Sequence, residues 1–242
     1  LYAGIKHIII VVKHLGDELR ALIKSTWTDE VCKEKGVRID VPKVDSLGTA
    51  DAERKVYDLI DTPMFVVSMA DIITNLPMKQ FMDFHLEKNA QATVSMKHID
   101  QYATRYGNTV LGPDARIKLF MEKPEPEEIY ISSLIETHEL LPIINTGIYC
   151  FKKEIADLLM NNELMDFGGE VFPYLLENKY SLYGFVEDYY WMDIGNPLTY
   201  LWANWDMLRL YGWPIQPPGN RIEGKNIWLA EDKLPENIEL TD

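Results

Sequence analysis

A chain of 242 residues, 47% of them hydrophobic, is long enough for one large domain or a domain with a small appendage, and can bury a core that a disordered chain could not. Its 24 basic and 38 acidic residues leave a formal net charge of −14, a surface that repels a phosphate backbone, so general nucleic-acid binding is excluded. Two cysteines, Cys32 and Cys150, make neither a disulfide framework nor a zinc knuckle and point to a reducing, cytoplasmic setting. The apolar runs, such as Ile8 to Val12, fall far short of the ~20 residues of a membrane crossing, and no membrane partner is expected. Because the sequence opens on Leu1 and not on methionine, it says little about a leader peptide.

In chain order, His7 to Val12 is an uninterrupted β-branched run that suits a fully buried strand of a parallel sheet. Leu19, Leu22 and Ile23 recur at helical spacing, and Val37 to Val41 alternates as a second strand after Gly36. A helix is predicted from about Thr49, a candidate N-cap, with Ala52, Val56, Leu59 and Ile60 on one face. Met64 to Ser68 is a strand ending near Asp71, and a helix from about Met78 to Lys88 turns Phe81, Met82, His85 and Leu86 inward. Further strands are predicted at Gln91 to Lys97, Gly107 to Leu111, Arg116 to Glu122, Ile143 to Phe151 and Ser181 to Val186. Helices are predicted at Lys153 to Met160, Glu170 to Glu177 and Leu198 to Leu210. The order argues for an α/β fold with a Rossmann-like, doubly wound mixed sheet. Residues 1–212 are expected to form the main domain. Residues 213–242 begin with a Pro-rich linker and continue with sparse aliphatic positions (Ile227, Leu229, Leu234, Ile238, Leu240) that hint at a β-coil.

Ligands of open α/β sheets bind at the carboxyl ends of strands. Asp71, just past such a strand, can either hold Mg²⁺ against phosphate oxygens or cap a turn. Asp193, between an aromatic run and a helix start, taken alone reads better as a turn or N-cap aspartate than as a ligand. Glu122-Lys123-Pro124 closes a strand and either presents an acid and a base at a cleft rim or lies in a solvated loop. Asn145-Thr146-Gly147 sets an amide beside a bare backbone, as a simple turn also would. Gly48 before a helix start admits a ring or phosphate, or only a capped helix. The histidines His7, His14, His85, His98 and His138 have no metal-ligand spacing, and His85 fits a helix-face core position. No GxSxG, P-loop, GxGxxG or Asp-x-Asp occurs, so serine hydrolases, Walker NTPases, dinucleotide dehydrogenases and most metal-dependent glycosyltransferases lack motif support.

Taken together, seven short elements stand in a specific order. They are Gly4-Ile5-Lys6, Leu47-Gly48-Thr49-Ala50, a strand ending at Asp71, Arg105-Tyr106-Gly107, Phe120-Met121-Glu122-Lys123-Pro124, Ile144-Asn145-Thr146-Gly147-Ile148-Tyr149, and Tyr190-Trp191-Met192-Asp193-Ile194-Gly195. Over roughly Gly4 to Leu210 the chain resembles the sugar-1-phosphate nucleotidylyltransferases. The resemblance implies the nucleotide-diphospho-sugar transferase fold and transfer of a nucleotidyl group from an NTP to a sugar 1-phosphate, with release of pyrophosphate. It implies that Asp71 and Asp193 hold a catalytic Mg²⁺, that Gly48 lies against the nucleobase, and that Lys123 grips the sugar phosphate. Gly107, Glu122, Asn145 and Gly147 would line the sugar pocket. A homo-oligomer is expected, and Ile227-Trp228-Leu229 resembles the opening of the left-handed β-helix found in part of the family. The form Trp-Met-Asp-Ile-Gly leans towards guanylyl transfer to mannose 1-phosphate, or thymidylyl or uridylyl transfer to glucose 1-phosphate.

Two departures stand out. Ala70 replaces the glycine that usually precedes the metal aspartate. The family's opening strand, its glycine-rich loop with an arginine and its lysine-proline element, which cradle the triphosphate, are not in the sequence; about 40 upstream residues are expected in the native protein. Without them the chain is expected to turn over no NTP. The rival readings are a catalytically silent nucleotide-sugar-binding regulatory subunit of the same family and an NDP-sugar-consuming glycosyltransferase.

Overall fold

The computed structural model describes residues 3–98, 106, 108–123, 125, 143–217, 219–222, 225 and 227–229. The chain parts into two compact units, Leu1–Ser68 with Met78–Asp188, and Met69–Pro77 with Tyr189–Asp242; the expected boundary at 212/213 falls inside the second.

The first unit is built on a six-stranded mixed sheet. Its axis is β8 (Ile143–Lys152), which pairs antiparallel with β5 (Ala92–His98) along one edge. The other edge is shared: β3 (Met64–Ser68) takes Ile148 to Lys152, and β6 (Asn108–Leu111) takes Ile143 and Ile144. Strand β7 (Ile117–Met121) forms a hairpin with β6, and β9 (Leu182–Val186) adds parallel to β5. The sheet is therefore mixed, as expected, with β5–β9 its one parallel pairing among the described strands. The continuous apolar sequence of β8 follows from this central place, since most of its side chains are buried.

Helices α4 (Met78–Glu87), α5 (Lys153–Met160) and α6 (Phe172–Glu177) belong to the same unit. Phe81, Ile155, Leu159 and Leu175 are completely buried. His85 is a core residue, as predicted: its Nδ1 lies 2.8 Å from Thr93 Oγ1, and burial pushes its pKa down to about 4. Leu86, read as an inner position, is exposed.

The front of the chain corrects the sequence reading. Strand β1 (His7–Ile9) pairs in parallel with β2 (Arg38–Asp40) in a two-stranded sheet of their own, joined through helices α1 (Gly16–Thr26) and α2 (Asp29–Lys35). With a single hydrogen-bonded neighbour among the described strands, β1 is half-buried where full burial was expected, and Leu19 and Leu22 of α1 are exposed.

Helix α3 (Thr49–Arg54) holds two buried carboxyls in opposite situations. Asp51 accepts from the Leu47 amide at 2.8 Å and pairs with Arg54 and Lys55, which together hold its carboxyl below the usual range. Among the described residues Glu53 has no hydrogen-bond partner at either oxygen, and desolvation pushes its pKa up to about 8. A carboxyl whose folded-state pKa is raised costs nothing while both states are protonated. The cost grows as pH climbs from the ordinary carboxylate range to about 8, because only the unfolded chain ionises freely in that window. Glu53→Leu is therefore expected to stabilise the protein by on the order of 2–4 kcal/mol near pH 7.5 and by much less at pH 5. Denaturant unfolding at the two pH values measures this; an equal effect at both would refute it.

The second unit centres on β4 (Ile72–Thr74) and β10 (Trp191–Asp193), an antiparallel pair that three-residue lengths hid from periodicity arguments. Asn75 ties the pair down, accepting from the Tyr190 amide at 2.7 Å and donating to the Trp213 carbonyl at 2.7 Å. Helix α7 (Pro197–Leu208) follows, started by Pro197 in its first turn and by a capping box between Asn196 and Thr199. The described part of the tail, β12 (Trp228–Leu229), pairs antiparallel with β11 (Asn220–Arg221), and the Trp228 indole donates to the Leu208 carbonyl at 3.3 Å. Leu234, Ile238 and Leu240 lie outside the described residues.

Candidate active site

In the second unit the β4–β10 register draws together two residues 122 positions apart in sequence. Asp193 stands opposite Ile72, and the amide of Ile194 donates to the carbonyl of Asp71 at 2.8 Å, so the two aspartates sit at the same end of one short ladder. Burial, and then the nearby Asp71 carboxylate, push the Asp193 carboxyl up. Two acids whose charges act on each other at a strand end are a pair whose repulsion a cation would relieve. Among the described residues no cluster of three or more His, Cys, Asp or Glu is present, and a pair of carboxylates suits Mg²⁺, which completes its shell with water and phosphate oxygens.

In the first unit, β8 does not run evenly past β5. Tyr149 faces Val94 and Asn145 faces Met96, so β8 carries two more residues than its partner between these points. Gly147, at φ +76°, occupies the bulge in a conformation that a side chain would strain. The bulge fixes the Asn145 amide: its Oδ1 accepts from the Gly147 amide at 2.8 Å and its Nδ2 donates to the Tyr149 hydroxyl oxygen at 3.0 Å. Beneath it, Thr146 and Ser95 join through their buried hydroxyls at 2.7 Å.

Burial pushes the Tyr149 hydroxyl's pKa up, the hydrogen bond from Asn145 opposes this, and Glu122 and Asp166 lie near enough for their charges to add to the rise. Asp166, which no sequence argument singled out, precedes a single π-turn, Phe167–Val171, that leads into α6. Its Oδ1 accepts from the Gly169 amide and its Oδ2 from the Thr49 hydroxyl, both at 2.9 Å. Thr49 thus ties α3 to this turn and is not the N-cap expected of it. A Cβ on Gly168 would run into the Glu122 carboxylate, so the glycine leaves room for that acid. The available signal was Asp166-Phe167-Gly168-Gly169, an aspartate and two glycines ahead of an apolar helix. Phe167, Phe172 and Tyr149 pack with ring centroids 4.9 to 6.2 Å apart and hold this wall in place.

Lys123 follows Glu122 with φ +48° and an exposed side chain, its Nζ 3.8 Å from Glu122 Oε1. Gly48 is extended, and a Cβ there would collide with the Met165 carbonyl, which accepts from the Ala50 and Asp51 amides at 2.9 and 3.2 Å. Packing alone therefore demands glycine at 48. Arg105, Gly107 and Pro124 lie outside the described residues. The structure thus brings Asp71 to Asp193 in one unit, and Glu122, Asn145, Gly147 and the unforeseen Asp166 together in the other.

The nucleotidyl transferase family model matches residues 1–209, and the chain belongs to that family. Among its relatives, a UTP–glucose-1-phosphate uridylyltransferase of Synechocystis sp. is 29% identical over 226 residues, covering 90% of this chain and 56% of the relative. A mannose-1-phosphate guanyltransferase of Debaryomyces hansenii is 30% identical over 205 residues, covering 82% and 51%. The chain spans about half the length of the curated relatives it matches. Among solved structures, HddC from Yersinia pseudotuberculosis has the same fold, with a TM-score of 0.64, 22% identity and coverage of 84% of this chain and 79% of that one.

Burial first, and then the Asp166 charge, raise the Glu122 carboxyl, while Lys123 opposes them. Asp166→Asn is expected to bring the Glu122 pKa down, and Lys123→Met to take it up. Side-chain carboxyl NMR titration reads both; a Glu122 resonance that titrates unchanged in Asp166→Asn would refute the proximity described here.

Proposed function

We propose that the protein transfers a nucleotidyl group from an NTP to a sugar 1-phosphate, forming an NDP-sugar and pyrophosphate. The observation that carries this reading is the meeting of Asp71 and Asp193 at the end of the β4–β10 ladder, in a chain that belongs to the nucleotidyl transferase family. Asp71 and Asp193 would hold Mg²⁺, which when bound supplies positive charge against the phosphate oxygens of the NTP.

The residues' own part is positioning and charge. A sugar phosphate is already ionised at neutral pH, so its oxygen can attack the α-phosphorus without a general base. Lys123, held at the end of β7 in a left-handed conformation, offers a point charge to the sugar phosphate. Glu122 and Asp166 offer carboxylate oxygens to sugar hydroxyls, and the Asn145–Tyr149 pair offers hydrogen-bonding groups whose directions are already set. Gly48 is assigned to the nucleobase and Gly107 to the sugar pocket on the family resemblance alone. The cytoplasmic setting rests on the two free cysteines, Cys32 and Cys150; no described helix is long and apolar enough to cross a membrane.

Pyrophosphate release by the native protein, with the upstream residues expected of it, tests the reading, using Mg²⁺ and a panel of NTPs and sugar 1-phosphates. Asp71→Asn and Asp193→Asn are each expected to lower the rate roughly hundredfold or more while leaving the circular dichroism unchanged. Release at the parent rate by both variants would overturn the assignment of the metal site.

A further inference from the structure

The start of α3 is laced to the segment that carries Asp166, 117 positions further along the chain than Thr49. The Met165 carbonyl accepts from the Ala50 and Asp51 amides, and the Arg54 guanidinium donates to the Asn162 carbonyl at 2.9 Å. Met165 is held from its other side as well, its amide donating to the Glu170 carboxylate at 2.7 Å. The approach is so close that a Cβ at Gly48 has no room beside the Met165 carbonyl. Two of the amides that a helix start leaves free are thereby satisfied within the protein, so the lacing serves the segment it grips and not a bound phosphate.

What this close approach delivers is the Thr49 hydroxyl. It accepts from the Phe167 amide at 3.0 Å and donates to Asp166 Oδ2 at 2.9 Å, so its single hydrogen is committed to the carboxylate. Asp166 Oδ1 is already held by the Gly169 amide. A carboxylate gripped through one oxygen still swings about that contact, whereas one gripped through both does not. The grip has something to resist. The Glu122 and Asp166 carboxylates flank one small space: a Cβ on Gly168 would run into Glu122 Oε2 and lie 3.5 Å from Asp166 Oδ1. Their charges act on each other, which drives Asp166 to turn away. A carboxylate has about four acceptor positions, so after the Thr49 and Gly169 bonds roughly two remain, in directions that the Thr49 hydroxyl fixes.

We propose that Thr49 is a positioning residue for the sugar end of the reaction, its hydroxyl setting the Asp166 carboxylate to receive a hydroxyl of the sugar 1-phosphate, although it stands beside Gly48, the residue assigned to the nucleobase. The inference rests on the transfer reading above. Steady-state kinetics of the native protein, upstream residues included, test it with the NTP and sugar 1-phosphate that support pyrophosphate release. Thr49→Val keeps the side chain's shape and removes its hydroxyl; it should raise KM for the sugar 1-phosphate roughly tenfold. Its kcat and its KM for the NTP should stay within about twofold of the parent, a split that a general loss of structure would not give. Thr49→Ser keeps the hydroxyl and should restore the parent KM. If Thr49→Val does not fold, Thr49→Ala takes its place with the same expectation. A folded variant with an unchanged KM for the sugar 1-phosphate overturns the proposal, as does one whose KM for the NTP rises instead, or a Thr49→Ser protein as impaired as Thr49→Val. A parent that releases no pyrophosphate refutes the transfer reading, and calorimetric binding of the sugar 1-phosphates then decides about Thr49. Binding roughly tenfold weaker in Thr49→Val sustains the proposal; equal binding, or none by the parent, overturns it.

Discussion

The first unit depends on how much one strand is asked to do. Strand β8 lies between β5 on one edge and both β3 and β6 on the other, so its ten residues must satisfy three ladders and still turn a polar side chain out of the sheet. The bulge resolves the conflict. Two extra residues let β8 change its pairing partners along its length, Gly147 absorbs the positive φ, and the Asn145 amide is locked by its bonds to the Gly147 amide and the Tyr149 hydroxyl. Beyond the bulge, Tyr149 and Phe151 return to the core and pack on Phe167 and Phe172. Those rings in turn fix the π-turn that presents Asp166 and leaves space for Glu122. Core packing and site geometry are thus consequences of the same irregular strand.

The second unit applies a different economy. Two three-residue strands, too short to be stable alone, are held by Asn75 and by the Thr74 hydroxyl, which donates to the Tyr190 carbonyl at 2.8 Å. Their ladder carries two acids at one end. Local repulsion between Asp71 and Asp193 is tolerated, as it is between Glu122 and Asp166 in the other unit. Like charges kept close, with Lys123 offsetting only part of the repulsion at Glu122, suit a site that takes a cationic or hydroxyl-rich ligand. Glu53 is different in kind: it is buried with no hydrogen-bond partner among the described residues, and the mechanism makes no use of it.

Legibility in the sequence followed the length and regularity of each element. Strand β8 and helix α5 were readable because long apolar runs and a 3.6-residue period leave little choice, and α5 was placed to the residue. Strands β4 and β10 were not, since three residues carry no period; Asp71 and Asp193 were nonetheless singled out, because an ordered set of motifs carries information that local spacing lacks. Strand β1 was misjudged because a β-branched run reports apolarity and not the number of neighbours a strand will have. Asp166 escaped notice because its role comes from Thr49, 117 positions away, and from a glycine whose purpose appears only when the Glu122 carboxylate is set against it.

The central claim is that a sugar-phosphate oxygen displaces pyrophosphate at the α-phosphorus of an NTP. Sugar 1-phosphate labelled with ¹⁸O in its non-bridging phosphate oxygens tests it most directly, with both products analysed by mass spectrometry after the native protein, upstream residues included, has acted on it with unlabelled NTP and Mg²⁺. The account predicts that all of the label is retained in the NDP-sugar, one labelled oxygen having become the bridge between the two phosphorus atoms, and that the pyrophosphate is unlabelled. Label in the pyrophosphate, or a nucleotide sugar lacking it, would contradict the account.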